Sequence, residues 1–217
     1  MTDPTLTHLY FLLDRSGSME SIKGDTEGGF DAFIAEQRTQ PGTCRVTLAQ
    51  FDDTFEEVYA DRPVADVPPL RLQPRGTTAL LDSIGRLVNE AGSRLAALPE
   101  HERPGVVIVG IMTDGHENAS RELTHAQVKA TIERQSSVYG WQFLYLGADQ
   151  DAIEVGASIG VSSANSMTYS RGRVASAMAA TSRNIGLARL AVASGASSAQ
   201  AASLIAFDDE QRASAQD

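Results

Sequence analysis

Cysteine is nearly missing from this chain: Cys44 is the only one in 217 residues, so no disulfide can form within it. Its place at the start of an apolar run predicts a small buried side chain with no redox role. Basic residues are also short, 18 Lys and Arg against 28 Asp and Glu, which gives a formal charge of −10. Such a surface repels phosphates and anionic lipid, so neither nucleic acid nor a membrane is expected as a partner, and the acidity reads as solubility. No run reaches the roughly 18 apolar residues that a membrane span requires. Met1-Thr2-Asp3-Pro4 lacks both the basic segment and the apolar stretch of a signal peptide, and a cytoplasmic location is the expectation. There is no Gly-x-x-x-x-Gly-Lys-Ser/Thr loop, and no Gly-x-Gly-x-x-Gly opens a helix after the first strand, which excludes the usual nucleotide-binding readings. His8, His101, His116 and His125 have no nucleophile paired with them, so each reads as a surface or loop residue and no triad is proposed. No repeat of solenoid period is present.

What remains is ordinary for a globular protein, with 42% apolar and 21% charged residues. Strand-like and helix-like stretches alternate. His8 to Leu13 reads as a buried strand, Met19 to Arg38 as a helix despite Gly24, Gly28 and Gly29, and Arg45 to Phe51 as a second strand. Packing on the sheet is the expected use of those glycines. Asp52-Asp53 turns the chain into Thr54–Tyr59, an antiparallel edge, and the segment from Pro63 to Pro74 is too irregular to assign. Leu81, Ile84, Leu87, Val88, Ala91 and Leu95 mark a second helix, Val106 to Met112 a central strand, and Trp141 to Gly147 another. Ser166–Tyr169 reads as a short last strand before a final helix through Val174 and Ala188. The fold class is therefore α/β: an open, Rossmann-like, mostly parallel sheet with one antiparallel edge strand and helices on both faces, in three layers. Residues 1–194 form one domain, and 195–217 an Ala/Ser/Gln-rich extension, partly helical or disordered, with a short helix near 199–207 and a frayed tail.

Three segments carry chemistry. Asp14-Arg15-Ser16-Gly17-Ser18 follows the first strand, and alternate positions with a glycine between the serines let Asp14, Ser16 and Ser18 converge on one point. In the competing reading Asp14 ends the strand and Ser16 or Ser18 caps the next helix. Gly76-Thr77-Thr78 puts threonine hydroxyls at a helix start, and the central strand stops at Thr113-Asp114-Gly115. In a parallel sheet both aspartates fall at the carboxyl rim, where open α/β folds place their ligands. The donors are all oxygen, which suits a hard cation, Mg²⁺ before Ca²⁺.

These segments, in this order, resemble the metal-ion-dependent adhesion site of the von Willebrand factor A domain family, of the bacterial intracellular type. The resemblance implies that Ser16, Ser18 and Thr78 coordinate an ion through hydroxyls and that Asp14 and Asp114 hold it largely through water. Alignment on Ala79-Leu80 selects Thr78, with Thr77 as the fallback, and Mn²⁺ joins Ca²⁺ as an alternative to Mg²⁺. The implied function is binding without catalysis, with the ion taking an Asp or Glu of a partner protein such as an AAA+ ATPase or an assembly factor. The chain itself is expected to be a monomer. His116, Glu117 and Asn118 extend the same loop as solvated residues, although Glu117 could reach the ion and block it. The alternative from another class is a Mg²⁺-dependent phosphatase of the haloacid-dehalogenase type with Asp14 as nucleophile. That pattern needs a second aspartate two residues on, where this chain has Ser16.

Overall fold

The apolar run Leu9 to Leu13 is buried on both faces as part of β1 (Asp3–Asp14), as a strand between two helical layers must be. In the computed structural model, which describes residues 2–216, β1 pairs in parallel with β2 (Thr43–Phe51) and with β4 (Pro104–Thr113). β3 (Phe55–Pro63) runs antiparallel along the far side of β2. β5 (Gln142–Ala148) and β6 (Ser166–Tyr169) continue the parallel sheet beyond β4. The order β3-β2-β1-β4-β5-β6 is the doubly wound arrangement that the alternation of elements predicts.

Side-chain alternation along β1 divides the core in two. Leu9, Phe11 and Leu13 face α1 (Lys23–Gln37) and α5 (Val174–Ala193). Tyr10 and Leu12 face the layer of α2 (Leu80–Ala97), α3 (His125–Tyr139) and α4 (Ala152–Ser158). Phe11 meets Phe30 and Phe33 of α1 edge to face, with ring centroids 5.2 and 5.0 Å away, an arrangement aromatic quadrupoles favour. Trp141 and Cys44 are buried, as their contexts predict.

Several expectations are corrected. The helix expected from Met19 begins as a 3₁₀ segment, Gly17–Ile22, and becomes α-helical only at Lys23. Packing accounts for one glycine of α1: a Cβ on Gly29 would meet Met178 and Val174 of α5 at 3.4 Å, whereas Gly24 and Gly28 face open space. The proline-rich segment is ordered by α1, because Leu70 and Leu72 donate their N–H groups to Asp31 and Glu27 at 2.7 and 2.8 Å. Beyond Gly195 two helices form, α6 (Ser198–Ser203) and α7 (Asp209–Ser214), each opened by a capping box, Ser197 with Gln200 and Asp208 with Gln211. Ala201, Ile205, Phe207 and Ala215 enter the core shared by α1 and α5, so the described tail is packed rather than frayed. Among the described residues no helix is long and apolar enough to cross a membrane.

His8 is not a surface residue. It lies buried on β1, stacked on Tyr10 at 4.0 Å, with Nε2 2.9 Å from Thr47 Oγ1. Burial pushes its pKa down to about 4, against the pull of Asp61. The unfolded chain therefore binds a proton near pH 6.5 that the folded chain refuses until about pH 4. Stability from this residue is complete above pH 6.5 and is lost as pH falls toward 4, by about 3 kcal/mol. Urea denaturation at intervals across that window should show the slope in the native chain and a flatter profile in His8→Gln.

Candidate metal centre

Asp14 is the last residue of β1 and Thr113 the last of β4, and pairing of these strands brings both to one rim. Asp14 is wholly buried: Oδ1 accepts the Ser16 N–H at 2.6 Å and Oδ2 accepts the Thr113 hydroxyl at 2.5 Å. Burial pushes its pKa up to about 6 and the charge of Asp114 adds to the rise, while the bonds from Thr113 and Ser16 oppose it. Ser16 Oγ lies 3.2 Å from Ser18 Oγ, and Ser18 Oγ donates to Asp114 Oδ1 at 2.6 Å. Ser16 stands at the N-cap of the 3₁₀ segment, yet its side chain makes no capping bond. The hydroxyls turn toward the carboxylates instead of the helix end.

The threonine loop joins the same cluster through its backbone. Arg75 N–H donates to Arg15 O at 2.8 Å, Gly17 N–H to Gly76 O at 3.3 Å and Ala79 N–H to Asp52 O at 2.8 Å. Gly76 has φ +66, and a Cβ there would fall 2.5 Å from Asp53 Oδ1, so only glycine fits the turn. Of the two threonines, Thr78 is buried and Thr77 exposed. A Cβ on Gly115 would come within 3.0 Å of Thr78 Oγ1 and 3.8 Å of Asp14 Oδ2. The absent side chain at position 115 thus leaves a small cradle between the threonine hydroxyl and the buried carboxylate.

No protein-family model matches the chain, and no curated protein matches it in sequence. Solved structures do match. VWA2, an ArnB paralog from Sulfolobus acidocaldarius, is 15% identical with a TM-score of 0.53, over 82% of this chain and 44% of that one. The von Willebrand factor type A protein from Catenulispora acidiphila is 14% identical with a TM-score of 0.51, over 92% and 42%. The vWF domain of the pilus tip protein Mfa5 from Porphyromonas gingivalis is 11% identical with a TM-score of 0.54, over 82% and 94%. The chain has the von Willebrand factor A fold. It spans less than half the length of the Sulfolobus and Catenulispora proteins.

All five residues singled out from the sequence, Asp14, Ser16, Ser18, Thr78 and Asp114, lie on the β1 and β4 side of the vWA rim. Hydrogen bonds join Ser16 to Asp14 and Ser18 to Asp114 directly, whereas Thr78 approaches across Gly115. Two carboxylates and three hydroxyls fit a hard divalent cation and give a soft metal little to hold. Among the described residues no three of His, Cys, Asp and Glu gather as a metal-binding group, and the hydroxyls supply the remaining donors of this cluster.

Glu117 does not block this centre. Its Oε1 accepts N–H bonds from Ala119 and Ser120 at 2.9 and 2.7 Å, and its Oε2 accepts from Leu81 N–H and Ser120 Oγ at 2.9 and 2.7 Å. Burial opposes its ionisation, but the donors at Leu81, Ser120 and Ala119 hold the carboxyl below its ordinary range. The side chain satisfies a free N–H in the first turn of α2. Asn118 is exposed, as expected of a loop residue, yet it ties down the threonine loop: its Oδ1 accepts from Thr78 N–H at 2.9 Å and its backbone N–H donates to Thr78 O at 3.1 Å. Asp151 caps α4, accepting from Ile153 and Glu154 N–H at 3.1 and 3.0 Å.

Two rim residues escaped the sequence reading. Asp52, read only as a turn residue, is buried and receives Arg15 Nε at 2.9 Å and Arg75 Nε at 2.8 Å, while Thr54 bonds its other oxygen. Arg15 also reaches Glu56. The two arginines flanking the serine and threonine segments were the available signal, since paired cations beside a site need an anion. Arg171, between β6 and α5, extends to Asp114 and Asp149, and no motif in the sequence announces it.

Proposed function

We propose that this chain is a metal-dependent protein-interaction module and not an enzyme. In this reading Asp14, Ser16, Ser18, Thr78 and Asp114 hold a divalent cation, Mg²⁺ with Ca²⁺ or Mn²⁺ as alternatives, and a partner protein contributes an aspartate or glutamate. A bound cation would supply an electrophilic centre able to take a carboxylate oxygen. The observation that carries the reading is the convergence of hydroxyls on two rim carboxylates with a side-chain-free cradle at Gly115. Asp14 and Asp114 offset the charge of a divalent ion, and the neutral hydroxyls leave it short of anionic ligands. Thr113 and the Ser16 N–H fix the Asp14 carboxylate, so little reorganisation accompanies binding.

The phosphatase alternative fares worse. Asp14 is fully buried and held by the Ser16 N–H and the Thr113 hydroxyl, which restricts the approach of a phosphate ester, and Ser16 cannot serve as the general acid such a mechanism needs. An AAA+ ATPase or assembly factor as partner, a monomeric state and a cytoplasmic setting belong to the same proposal.

Calorimetric titration of chelator-treated protein with Mg²⁺ and Mn²⁺ is expected to show a single saturable site. Affinity capture from cells with Mg²⁺, and then with a chelator, should release the partner. A flat calorimetric titration with both ions would sink the reading.

A further inference from the structure

Arg171 stands where a partner's acidic group would arrive. Its Nε forms an ion pair with Asp149 Oδ2 at 3.1 Å and its Nη2 lies 3.5 Å from Asp114 Oδ2, so the guanidinium spans the crevice side of β4 and the loop after β5. Its Nη1 bonds no other group among the described residues, and the side chain is 47% exposed. The backbone beneath it is fixed: Gly172 adopts φ +88, Arg173 N–H closes a turn on Ser170 O at 2.9 Å, and Ser170 N–H is held by Ala215 O at 2.9 Å. Asp149 N–H in turn bonds Tyr169 O at 3.0 Å, which ties the two loops together. The fold therefore sets the backbone of residue 171, and the pairs with Asp149 and Asp114 direct its guanidinium to the crevice.

Charge counting gives this placement a use. With a divalent ion held by Asp14 and Asp114, the two buried carboxylates are already balanced. Asp149, 48% exposed, offsets Arg171 only on the solvent side, where water screens the pair. On the crevice side the Arg171 charge is left for an incoming anion. That matters in a chain of formal charge −10, which repels acidic partners at a distance. Nη1, which carries part of the guanidinium charge, is a donor that a carboxylate oxygen accepts, whereas the NH₂ of a neutral amide in the same place cannot accept.

Building on the metal-dependent reading, we propose that Arg171 determines partner specificity: it binds the second oxygen of the partner carboxylate whose first oxygen the metal centre takes. The site then selects an acidic side chain over a neutral oxygen ligand by two contacts instead of one.

The test uses the full chain loaded with Mn²⁺ and two probes of similar shape, acetate and acetamide, with binding read from Mn²⁺-induced broadening of their methyl signals. Arg171→Gln should weaken acetate about fivefold or more and leave acetamide unchanged, and Arg171→Lys, which keeps the charge without the guanidinium that spans Asp149 and Asp114, should fall between. Mn²⁺ affinity, measured separately by calorimetry, should stay within about threefold of the native value in both variants. Equal acetate binding in native protein and Arg171→Gln, both holding Mn²⁺, overturns the assignment. So does loss of Mn²⁺ binding in both variants, which would make Arg171 a part of the metal centre itself. Native protein that binds no Mn²⁺ refutes the metal-dependent reading first and this assignment with it.

Discussion

Asp114→Ala should abolish saturable Mg²⁺ and Mn²⁺ binding, a loss of about 100-fold or more in affinity, while leaving the sheet folded. The carboxylate lies just past β4, shielded from solvent, with Ser18 on one oxygen and Arg171 near the other. Removing it takes away half of the negative charge available to a cation and frees the Ser18 hydroxyl from its only carboxylate partner in the cluster. It removes no backbone bond of the strand. Asp14→Ala should lose binding equally but at a greater cost to folding, because the Ser16 N–H would lose its acceptor, at about 1–3 kcal/mol, while the Thr113 hydroxyl would keep only Gly115 O at 3.1 Å. Part of that cost is offset by removing a carboxylate that burial holds up at a pKa of about 6. Calorimetry reports the affinity and circular dichroism the fold. Native-like affinity in a folded Asp114→Ala protein would place any cation site elsewhere.

The second large effect belongs to Asp52. Its carboxylate is fully enclosed and serves two arginines, one of which, Arg15, is itself buried. Burial works against its charge, yet the bonds from Thr54 and Arg75 and the charge of Arg15 hold the group far below the usual carboxylate range. Asp52→Asn takes the enclosed carboxylate from the buried Arg15 and leaves it only the half-exposed Glu56, a change that costs about 3 kcal/mol. The lost stability should appear as a lower urea midpoint with an unchanged slope. Cation affinity should drop as well, by about 10-fold to 100-fold, because the Asp52 segment anchors Ala79 and thereby the loop that carries Thr78. A variant with native midpoint and native affinity would show that the arginines find other partners.

Much of this was readable from the chain because it is local. The first strand announces itself through six consecutive apolar or aromatic-compatible positions from His8 to Leu13, and Asp14, Ser16 and Ser18 follow within five residues. The helical faces of α1 and α2 repeat at the expected spacing, and the hairpin at Asp52 falls where the acidic turn predicts an antiparallel edge. What stayed hidden depends on partners distant in sequence. Asp52 meets Arg15 across 37 residues, Asn118 meets Thr78 across 40, and Arg171 meets Asp114 across 57. A polar residue carries the same composition whether it faces water or a buried cation, so its role appears only once the sheet is assembled. The C-terminal segment misled for a related reason: alanine and serine look like linker composition, but small side chains also let α6 and α7 settle closely on the core, with Ile205 and Phe207 as the anchors.

The strand order has a consequence for change. The chain leaves β1 toward the α1 layer and leaves β4 toward the α3 layer, so the connections on either side of the crevice diverge from the moment they begin. Insertions placed beyond the residues that bond across the rim, past Ser18 on one bank and past Asn118 on the other, could lengthen one bank without crowding the other. Divergence in binding preference, whether by drift or by grafting, can therefore proceed loop by loop on an unaltered scaffold.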